Sequence, residues 1–488
     1  MSISRRGPLA ARKRVLMCMA AAIAGMMAGQ VLARDDRGIH QSGEQKNMRR
    51  VGHVDLQGRV AYQPNVIVYP DGRTIAFVGT HGGSRPNTLK TGSPAEPNGT
   101  MIWDVTDVSN PAKVASLTGI RSTHKDWWEC KSGIAYMPGS KSTPPLWRTS
   151  QSMLVYDWSN PPLAGAPVPA SSPKYIRTYG LVGAQPGATG GVPNSLHGPI
   201  STFEHPQASH PLARGAGPDD VIGNRIYLAW GVGDDGVLQI VDRKKLLPPA
   251  YGGTWVGDPD RPTKDDLESA QTGFFLMSPD QGGHTSITVF GMTPASYAKY
   301  AEFKTRDIVL LASEATSNRC QEAPHWSFVV DVTVENSRNS PPGTRIEQDP
   351  WHGPMVLSTL SVDPRLGEKY PRGNYCDRGA RYGVHSSEEN FRNPYYGRVT
   401  LLAYFTGGVR AWDIREPQAP VEVAFYVPES NANTSADGYM TNNLEVDNRG
   451  YIYATDRNGA GLDILELTGK AKNIGLGREG HGDDDDDG

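Results

Sequence analysis

Cysteine, charge imbalance and long apolar runs are all scarce in this sequence of 488 residues. It holds 4 cysteines, and its 49 Lys and Arg nearly balance its 52 Asp and Glu, which gives a net charge of −3. So few cysteines in a chain of this length exclude a small disulfide-scaffolded domain. The balanced charge argues against a nucleic-acid-binding protein, which should carry a strongly basic domain or stripe. Glycine (55) and proline (38) are plentiful, so the composition predicts many short strands joined by turns.

The first 33 residues have the layout of a secretory signal peptide. A basic start over residues 5–14 is followed by an apolar run over 15–29 and by a small-residue cleavage site at 31–33. The apolar run is shorter than the roughly 20 residues that a membrane span needs, so we expect cleavage rather than anchoring. The sequence therefore predicts a periplasmic or secreted protein without a transmembrane anchor after signal cleavage.

The rest of the chain divides into three parts. We expect an N-terminal extension over residues 34–50, a repeat-bearing region over 51–470 and a C-terminal tail over 471–488. The tail contains five consecutive aspartates, 483–487, between glycines. A block of like charge of this kind cannot bury a core, so we predict a disordered acidic tail.

A short apolar segment that ends in an acidic residue recurs along the repeat-bearing region. The acidic residues are Asp104, Asp157, Asp242, Asp331, Asp413 and Glu466. A second strand-like run precedes each segment, and a glycine-bearing loop separates the two in most copies, which is typical of β-hairpins. Propeller blades usually span about 40–50 residues, so the first and last intervals match one blade each. The three longer intervals hold either one blade with a long loop or an additional degenerate blade.

We therefore predict an all-β fold, a single β-propeller that closes into a ring around a polar central channel. The expected number of blades is about seven, with six as the second choice. A pair of β-sandwiches is the alternative, but sandwiches would not copy one hairpin unit along the whole region.

Two of the recurring segments resemble the LVIVD repeat. Residues 98–107 read Asn-Gly-Thr-Met-Ile-Trp-Asp-Val-Thr-Asp, and residues 408–414 read Gly-Val-Arg-Ala-Trp-Asp-Ile. Together with segments 123–130, 196–202 and 385–390, they make the chain similar to the bacterial LVIVD-repeat β-propeller proteins from about Gly52 to Leu467. The resemblance implies a propeller fold and export, and it implies no particular reaction.

Histidines stand at matching places in the repeat. Those that precede a hairpin are His124, His197, His284 and His385, and Asn442 has this place in the last copy. We interpret the segment that each one opens as the innermost strand of its blade, which lines the central channel. Because neighbouring strands are antiparallel, the second strands should end at the same mouth of the channel. Their ends hold His81, Arg457 and several carboxylates, among them Asp234, Asp235, Glu314 and Asp456.

Histidines and carboxylates that converge from separate loops are typical of a transition-metal site. The sequence therefore predicts a divalent transition metal (Cu, Zn, Fe or Mn) held by His81, His124, His197, His284 and His385. A polar channel that holds water instead of metal is the alternative. Histidines 40, 205, 210, 352 and 481 have no repeat equivalents, and we expect them at the surface.

Two carboxylates and three cysteines complete the candidate site. Glu389 and Glu322 are the candidate catalytic residues, each as a general base or as the partner that orients an imidazole. Cys320 and Cys376 fall in loops expected at one mouth of the channel, which predicts a disulfide between them. Cys130 is then either a small core residue or a soft metal ligand.

Two classes of function fit these features. The first is a metal-dependent enzyme, a hydrolase or an oxidase, that acts on a small organic substrate. Copper-dependent oxidation by propellers of the methanethiol-oxidase family is a fold-level analogy for it. The second is a non-catalytic cell-envelope propeller that binds a protein or a ligand.

Overall fold

The fold is defined for most of the chain after residue 42. The computed structural model describes residues 43–81, 84–86, 95–97, 99–118, 125–141, 143–159, 173–189, 195–208, 222–231, 235–297, 299, 305–335 and 353–478. The predicted signal peptide, His124, Asp234 and the aspartates 483–487 lie outside the described residues. Within the described ranges, no helix has the length and apolar character that a membrane crossing needs.

Antiparallel β-sheets make up the fold, and four of those described are separate four-stranded blades. Blade 1 consists of Ala61–Val68, Thr74–Thr80, Gly99–Asp104 and Ala112–Thr118. Blade 2 consists of Trp127–Glu129, Ile134–Gly139, Ser152–Asp157 and Lys174–Tyr179. Blade 3 consists of Leu196–Ser201, Arg225–Trp230, Val237–Asp242 and Gln271–Leu276. Blade 4 consists of Gly283–Met292, Arg306–Ser313, Ser327–Asp331 and Met355–Leu360.

A nine-stranded sheet contains two further four-stranded units. Blade 5 consists of Tyr382–Ser387, Val399–Phe405, Val409–Asp413 and Val421–Tyr426, and Gln45–Lys46 pairs with its outer strand. Blade 6 consists of Thr441–Val446, Tyr451–Asp456, Leu462–Leu467 and Met48–Val54. The two units are joined through the residue pair Phe405–Thr441.

The predicted β-propeller architecture is therefore present, but the first-choice number of seven blades is wrong. Counting each half of the large sheet as a blade gives six among the described residues, the second choice from the sequence. The sequence allowed a further blade in the long intervals between hairpins. The described residues of these intervals contain loops and short helices instead. The α-helices there are Arg243–Leu246 and Lys264–Ala270, and the 3-10 helices are Pro249–Tyr251, Ala295–Tyr297, Pro364–Lys369 and Tyr375–Arg378.

The two ends of the described chain meet in blade 6. Met48–Val54 pairs antiparallel with Leu462–Leu467, from Met48 opposite Leu467 to Val54 opposite Leu462. This pairing closes the ring, because a strand from the N-terminal end of the described chain completes the last blade. The predicted extension over residues 34–50 is therefore corrected at its end, because residues 45–50 already belong to the sheets. A 3-10 helix, Leu56–Gly58, follows the closing strand, and Ser84–Pro86 with Ala95–Pro97 form a two-stranded ribbon.

The predicted boundary of the tail at residue 471 is also wrong. Residues Gly469–Leu476 form an α-helix in which Ala471 and Ile474 are buried. These two side chains lie three positions apart and share one helix face, which packs against the core of blades 5 and 6. The described chain therefore remains folded to the end of this helix.

Hydrophobic cores lie between neighbouring blades, so middle strands are buried on both faces. Every residue of Arg225–Trp230 is buried, as the near-continuous apolar sequence of this strand indicates. The first strand of each blade is its innermost one, and the inner strands of blades 3, 4, 5, 6 and 1 contact one another in turn. The predicted placement of His197, His284, His385 and Asn442 on inner strands is confirmed.

Candidate metal centre

Three histidine rings from three blades meet at one end of the channel. His197 lies on the inner strand of blade 3, His284 on that of blade 4 and His385 on that of blade 5. The ring centroids of His197 and His284 are 4.7 Å apart, and those of His284 and His385 are 3.9 Å apart. All three side chains are buried. Blades 3, 4 and 5 thus each place one imidazole at this end of the channel.

Tyr62 takes the corresponding place in blade 1. It is the second residue of its inner strand, as His197 and His284 are of theirs. Its hydroxyl lies 3.0 Å from Nε2 of His284, and its ring centroid lies 6.0 Å from that of His385. Tyr62 is not among the ligands predicted from the sequence, because that prediction considered histidines. The position of Tyr62 at the start of the strand before the first hairpin was the available signal.

Glu314 brings a carboxylate to the three histidines. It directly follows strand Arg306–Ser313, the second strand of blade 4. Its Oε2 lies 3.4 Å from Nε2 of His197, and its Oε1 lies 3.5 Å from Nε2 of His385. One ligand atom each from His197, His284 and Glu314 lies within 4.8 Å of the other two. These three residues form a candidate metal-binding group.

Backbone carbonyls fix the orientation of two of the imidazoles. Nδ1 of His197 donates to the carbonyl of Gly231 at 3.2 Å, and Nδ1 of His385 donates to that of Asn442 at 2.6 Å. In a neutral ring with a proton on Nδ1, Nε2 carries a lone pair. Both lone pairs therefore face the carboxylate of Glu314. Among the described residues, Nε2 of His385 and Oε2 of Glu314 are buried and have no hydrogen-bond partner.

Burial determines the protonation of these groups. Desolvation lowers the pKa of His197, and it lowers the pKa of His385 to about 4. For Glu314, burial acts to raise the pKa, but its contacts with His385, His197 and Arg381 outweigh the burial, so the pKa lies well below its usual range. Neutral imidazoles beside an ionised carboxylate are the protonation states that metal ligation requires.

Two arginines and one further histidine lie at the rim of this group. Nη1 of Arg381 donates to Oε1 of Glu314 and to the carbonyl of Ala315, both at 3.1 Å. Nη1 of Arg457 lies 3.6 Å from the same Oε1 of Glu314. The ring centroid of His81 is 5.6 Å from that of Tyr62. His81 thus lies against Tyr62, outside the three-residue group, and His124 lies outside the described residues.

The carboxylate of Glu389 belongs to a different cluster. Glu389 forms an ion pair with Lys125, and both side chains are buried. Burial raises the pKa of Glu389 and lowers that of Lys125. For Glu389 to share a face with His385, the strand between them had to be regular. The strand Tyr382–Ser387 instead has a register shift between Tyr382 and Ser386, and it ends before Glu389.

Glu322 stabilises the loop that follows Glu314. Its carboxylate accepts hydrogen bonds from the backbone N–H groups of Thr316 at 2.6 Å and Ser317 at 2.7 Å. It also lies 3.7 Å from Nε2 of His325, whose Nδ1 is 2.7 Å from the hydroxyl of Ser313. These contacts hold Glu322 within its own loop, outside the three-residue group.

A disulfide joins the segments that carry Glu314 and Arg381. Cys320 and Cys376 are bonded, as the sequence predicts, with a Cα–Cα distance of 5.4 Å. The backbone N–H of Arg319 donates to the carbonyl of Ala380 beside it at 3.1 Å. Cys130 is exposed and not disulfide-bonded, so its interpretation as a core residue is wrong.

His205 also differs from its expected surface position. It is buried with 2% of its surface exposed, and its Nε2 lies 2.8 Å from the hydroxyl of Tyr396. Its ring contacts Phe290 and Phe391. The residue therefore belongs to the packing of the blades.

The other predicted carboxylates at this mouth are used locally. Asp456 accepts backbone hydrogen bonds from Met440, Asn458 and Ala460, and burial raises its pKa to about 6. Asp235 accepts a backbone hydrogen bond from Asp280. Among the described carboxylates, Glu314 is thus the one that the fold directs at the histidines.

Comparison with known proteins gives fold-level similarity alone. No family model and no curated protein matches the sequence. The β-propeller domain of Cps50 (Swd1) from Myceliophteria thermophila is 8% identical with a TM-score of 0.39, over 86% of this chain and 98% of that one. The soluble aldose sugar dehydrogenase from Escherichia coli is 9% identical with a TM-score of 0.38, over 86% and 98%. Sqt1 from Chaetomium thermophilum is 11% identical with a TM-score of 0.37, over 86% and 99%. At such values these similarities carry no argument about function, and the fold assignment rests on the strand pairing described above.

Proposed function

We propose that this protein is an exported metalloenzyme whose His197, His284 and Glu314 bind one divalent transition-metal ion. His385 is the fourth candidate ligand, because its Nε2 faces the same carboxylate. The substrate is a small organic molecule, and the reaction is a hydrolysis or an oxidation. Membership of the LVIVD-repeat family and localisation in the periplasm or outside the cell are part of this proposal, supported by the repeat segments and by residues 1–33.

The orientation of the histidines carries the proposal. Metal-binding histidines usually donate their second ring N–H to a backbone carbonyl or a carboxylate, which fixes the tautomer and the ring. His197 and His385 do this through Gly231 and Asn442. A cation between the Nε2 atoms and Glu314 would be held by both imidazole lone pairs and by the carboxylate oxygens. Burial lowers the pKa of both rings, which favours the neutral form that a metal ion requires of its imidazole ligands.

The type of ligand indicates the class of metal. Imidazole nitrogens with one carboxylate suit Zn, Cu, Fe or Mn, whereas Ca²⁺ and Mg²⁺ prefer all-oxygen sites. When bound, such an ion supplies Lewis-acid or redox chemistry. Tyr62 and Arg381 contact the ligands His284 and Glu314, so they are the residues that would orient them.

A non-catalytic envelope propeller is the alternative function. One observation favours it: Arg381 already donates to Glu314, so a protein–protein ion pair compensates this carboxylate without a metal. The two functions differ in whether the purified protein binds a stoichiometric metal ion.

Metal binding to the full mature chain tests the proposal. Metal-free protein is incubated separately with Cu²⁺, Zn²⁺, Fe²⁺ and Mn²⁺, desalted, and analysed by mass spectrometry of the elements. We expect one equivalent of at least one of these metals in the wild type. Glu314→Gln should weaken metal binding by about 100-fold or more. This exceeds the roughly 10–100-fold loss that is typical when a residue that contacts only a metal ligand is changed.

Glu322→Gln is the matched control. It changes a carboxylate that also lies near a histidine but outside the candidate group, and its amide oxygen can still accept the loop hydrogen bonds. This variant should bind metal like the wild type. The proposal is wrong if the wild type binds none of the four metals, or if the two variants bind equally well.

A further inference from the structure

Two guanidinium groups meet one carboxylate oxygen at the rim of the candidate metal centre. Nη1 of Arg381 and Nη1 of Arg457 lie 3.1 and 3.6 Å from Oε1 of Glu314. The carboxylate of Asp456, the chain neighbour of Arg457, accepts backbone N–H groups of its own turn instead of the guanidinium. Within the described part of the chain, the two arginines therefore share one carboxylate as their ion-pair partner.

Arg457 retains unused hydrogen-bond donors. An arginine side chain offers five N–H donors. Within the described part of the chain, the guanidinium of Arg457 contacts Glu314 at 3.6 Å and the face of Tyr62 at 6.0 Å, and it makes no side-chain hydrogen bond. Its side chain is 18% exposed and that of Arg381 is 21% exposed. Both groups can therefore be reached from the solvent at the mouth of the channel.

Metal binding would weaken these ion pairs, because a cation coordinated by Glu314 would neutralise the carboxylate that both arginines share. Guanidinium groups pair with carboxylate and phosphate oxygens through two parallel hydrogen bonds, and such charge-assisted bonds are stronger than neutral ones. Because both Nη1 atoms contact the same oxygen of Glu314, one small oxyanion can reach both arginines.

We infer that Arg457 and Arg381 form a subsite for an oxyanion group of the substrate, next to the candidate metal centre. The inference rests on the proposed function in one respect, namely that the bound anion is a substrate. It makes that function more specific: the enzyme acts on an anionic small molecule. The subsite itself consists of protein groups alone, so it should bind anions in the absence of metal, more weakly than in its presence.

Calorimetric titration of the full mature chain tests the subsite. Metal-free and metal-loaded protein are titrated at constant ionic strength with acetate in one arm and with inorganic phosphate in the other. We expect saturable binding of one of these anions to the wild type. Arg457→Gln should weaken it by about tenfold or more, the effect of losing one charge-assisted contact. Arg365→Gln, which removes an exposed arginine paired with Asp363, is the control and should bind like the wild type.

The outcomes separate this inference from the proposed function. Binding in the acetate arm alone identifies a carboxylate substrate, and binding in the phosphate arm alone identifies a phosphorylated one. Loss of anion binding in Arg457→Gln with metal binding intact supports the subsite. A wild type that binds neither anion, or an Arg457→Gln variant that binds as well as the wild type, overturns it. Anion binding by a protein that takes up no metal would leave the subsite in place and remove the metalloenzyme.

Discussion

The role of each histidine in this fold depends on the contacts of its two ring nitrogens. In His197 and His385, Nδ1 donates to a backbone carbonyl, so Nε2 is directed at Glu314. In His205, Nδ1 accepts the backbone N–H of Gln207 at 3.2 Å, and Nε2 donates to the hydroxyl of Tyr396. Both nitrogens of His205 are therefore satisfied by a neutral ring, which suits a structural residue.

His205 should make the protein less stable in mild acid. Burial lowers its pKa to about 4, below the value of about 6.5 in an unfolded chain. Between these two values the unfolded state binds more protons, so stability falls as the pH drops from 6.5 towards 4. The full loss from this residue is about 3 kcal/mol.

Urea unfolding at pH 7.0 and pH 4.5 measures this effect. His205→Gln removes the titrating group and keeps a donor and an acceptor, so the variant should lose less free energy of unfolding between the two pH values than the wild type. The contribution of other titrating groups is common to both proteins and cancels in the comparison. Equal losses in the wild type and the variant would contradict the assignment.

Individual site residues were predictable where the repeat fixes their strand position. His197, His284 and His385 stand before hairpins, and the structure places all three on inner strands. The carboxylate was predicted less sharply, because Glu314 was only one of several strand-end carboxylates expected at this mouth and Glu389 was the first choice as catalytic residue. Glu389 lies beyond a register shift and pairs with Lys125, whereas Glu314 directly follows a regular strand of blade 4. Spacing in the sequence does not show a bulge, so it could not tell which of them faces the histidines.

At the level of elements, the closing strand Met48–Val54 holds the two ends of the ring together. Its partner is Leu462–Leu467, so the pairing spans almost the whole chain. Such a strand is not part of a hairpin with its neighbours in the sequence, so no local pattern indicates it. The predicted N-terminal extension therefore ended too late. At Gly52, beside a register shift in this strand, an added Cβ would lie 1.9 Å from the carbonyl oxygen of Val108.

Gly52→Ala should therefore destabilise the whole propeller. Val108 lies in the turn between two strands of blade 1, and its carbonyl group must shift to admit the added Cβ, so we expect a loss of about 2 kcal/mol or more in the free energy of unfolding. Gly353→Ala is the matched control, because nothing lies within 4 Å of the corresponding Cβ position. It should change stability by less than about 0.5 kcal/mol. Denaturant unfolding of both variants decides this, and similar midpoints for the two would show that the closing strand is not tightly packed.

At the level of the whole molecule, the ring brings residues from matching positions of successive repeats close together. Residues far apart along the chain meet because each blade presents its inner strand to the same channel. The all-β propeller was predictable from the recurring hairpins, but the number of blades was not. The interval between Asp242 and Asp331 contains helix Lys264–Ala270 in addition to strands of blades 3 and 4, and interval length alone cannot separate such an insertion from another blade.

The location of a bound metal ion tests the central claim most directly. Crystals of the full mature chain loaded with Zn²⁺ or Cu²⁺ would give anomalous diffraction at the absorption edge of the metal. The claim predicts one strong anomalous peak in the channel, about 2.0–2.2 Å from ligand atoms of His197, His284 and Glu314. Peaks confined to other places, such as the aspartates 483–487, or no peak between these three residues would contradict it.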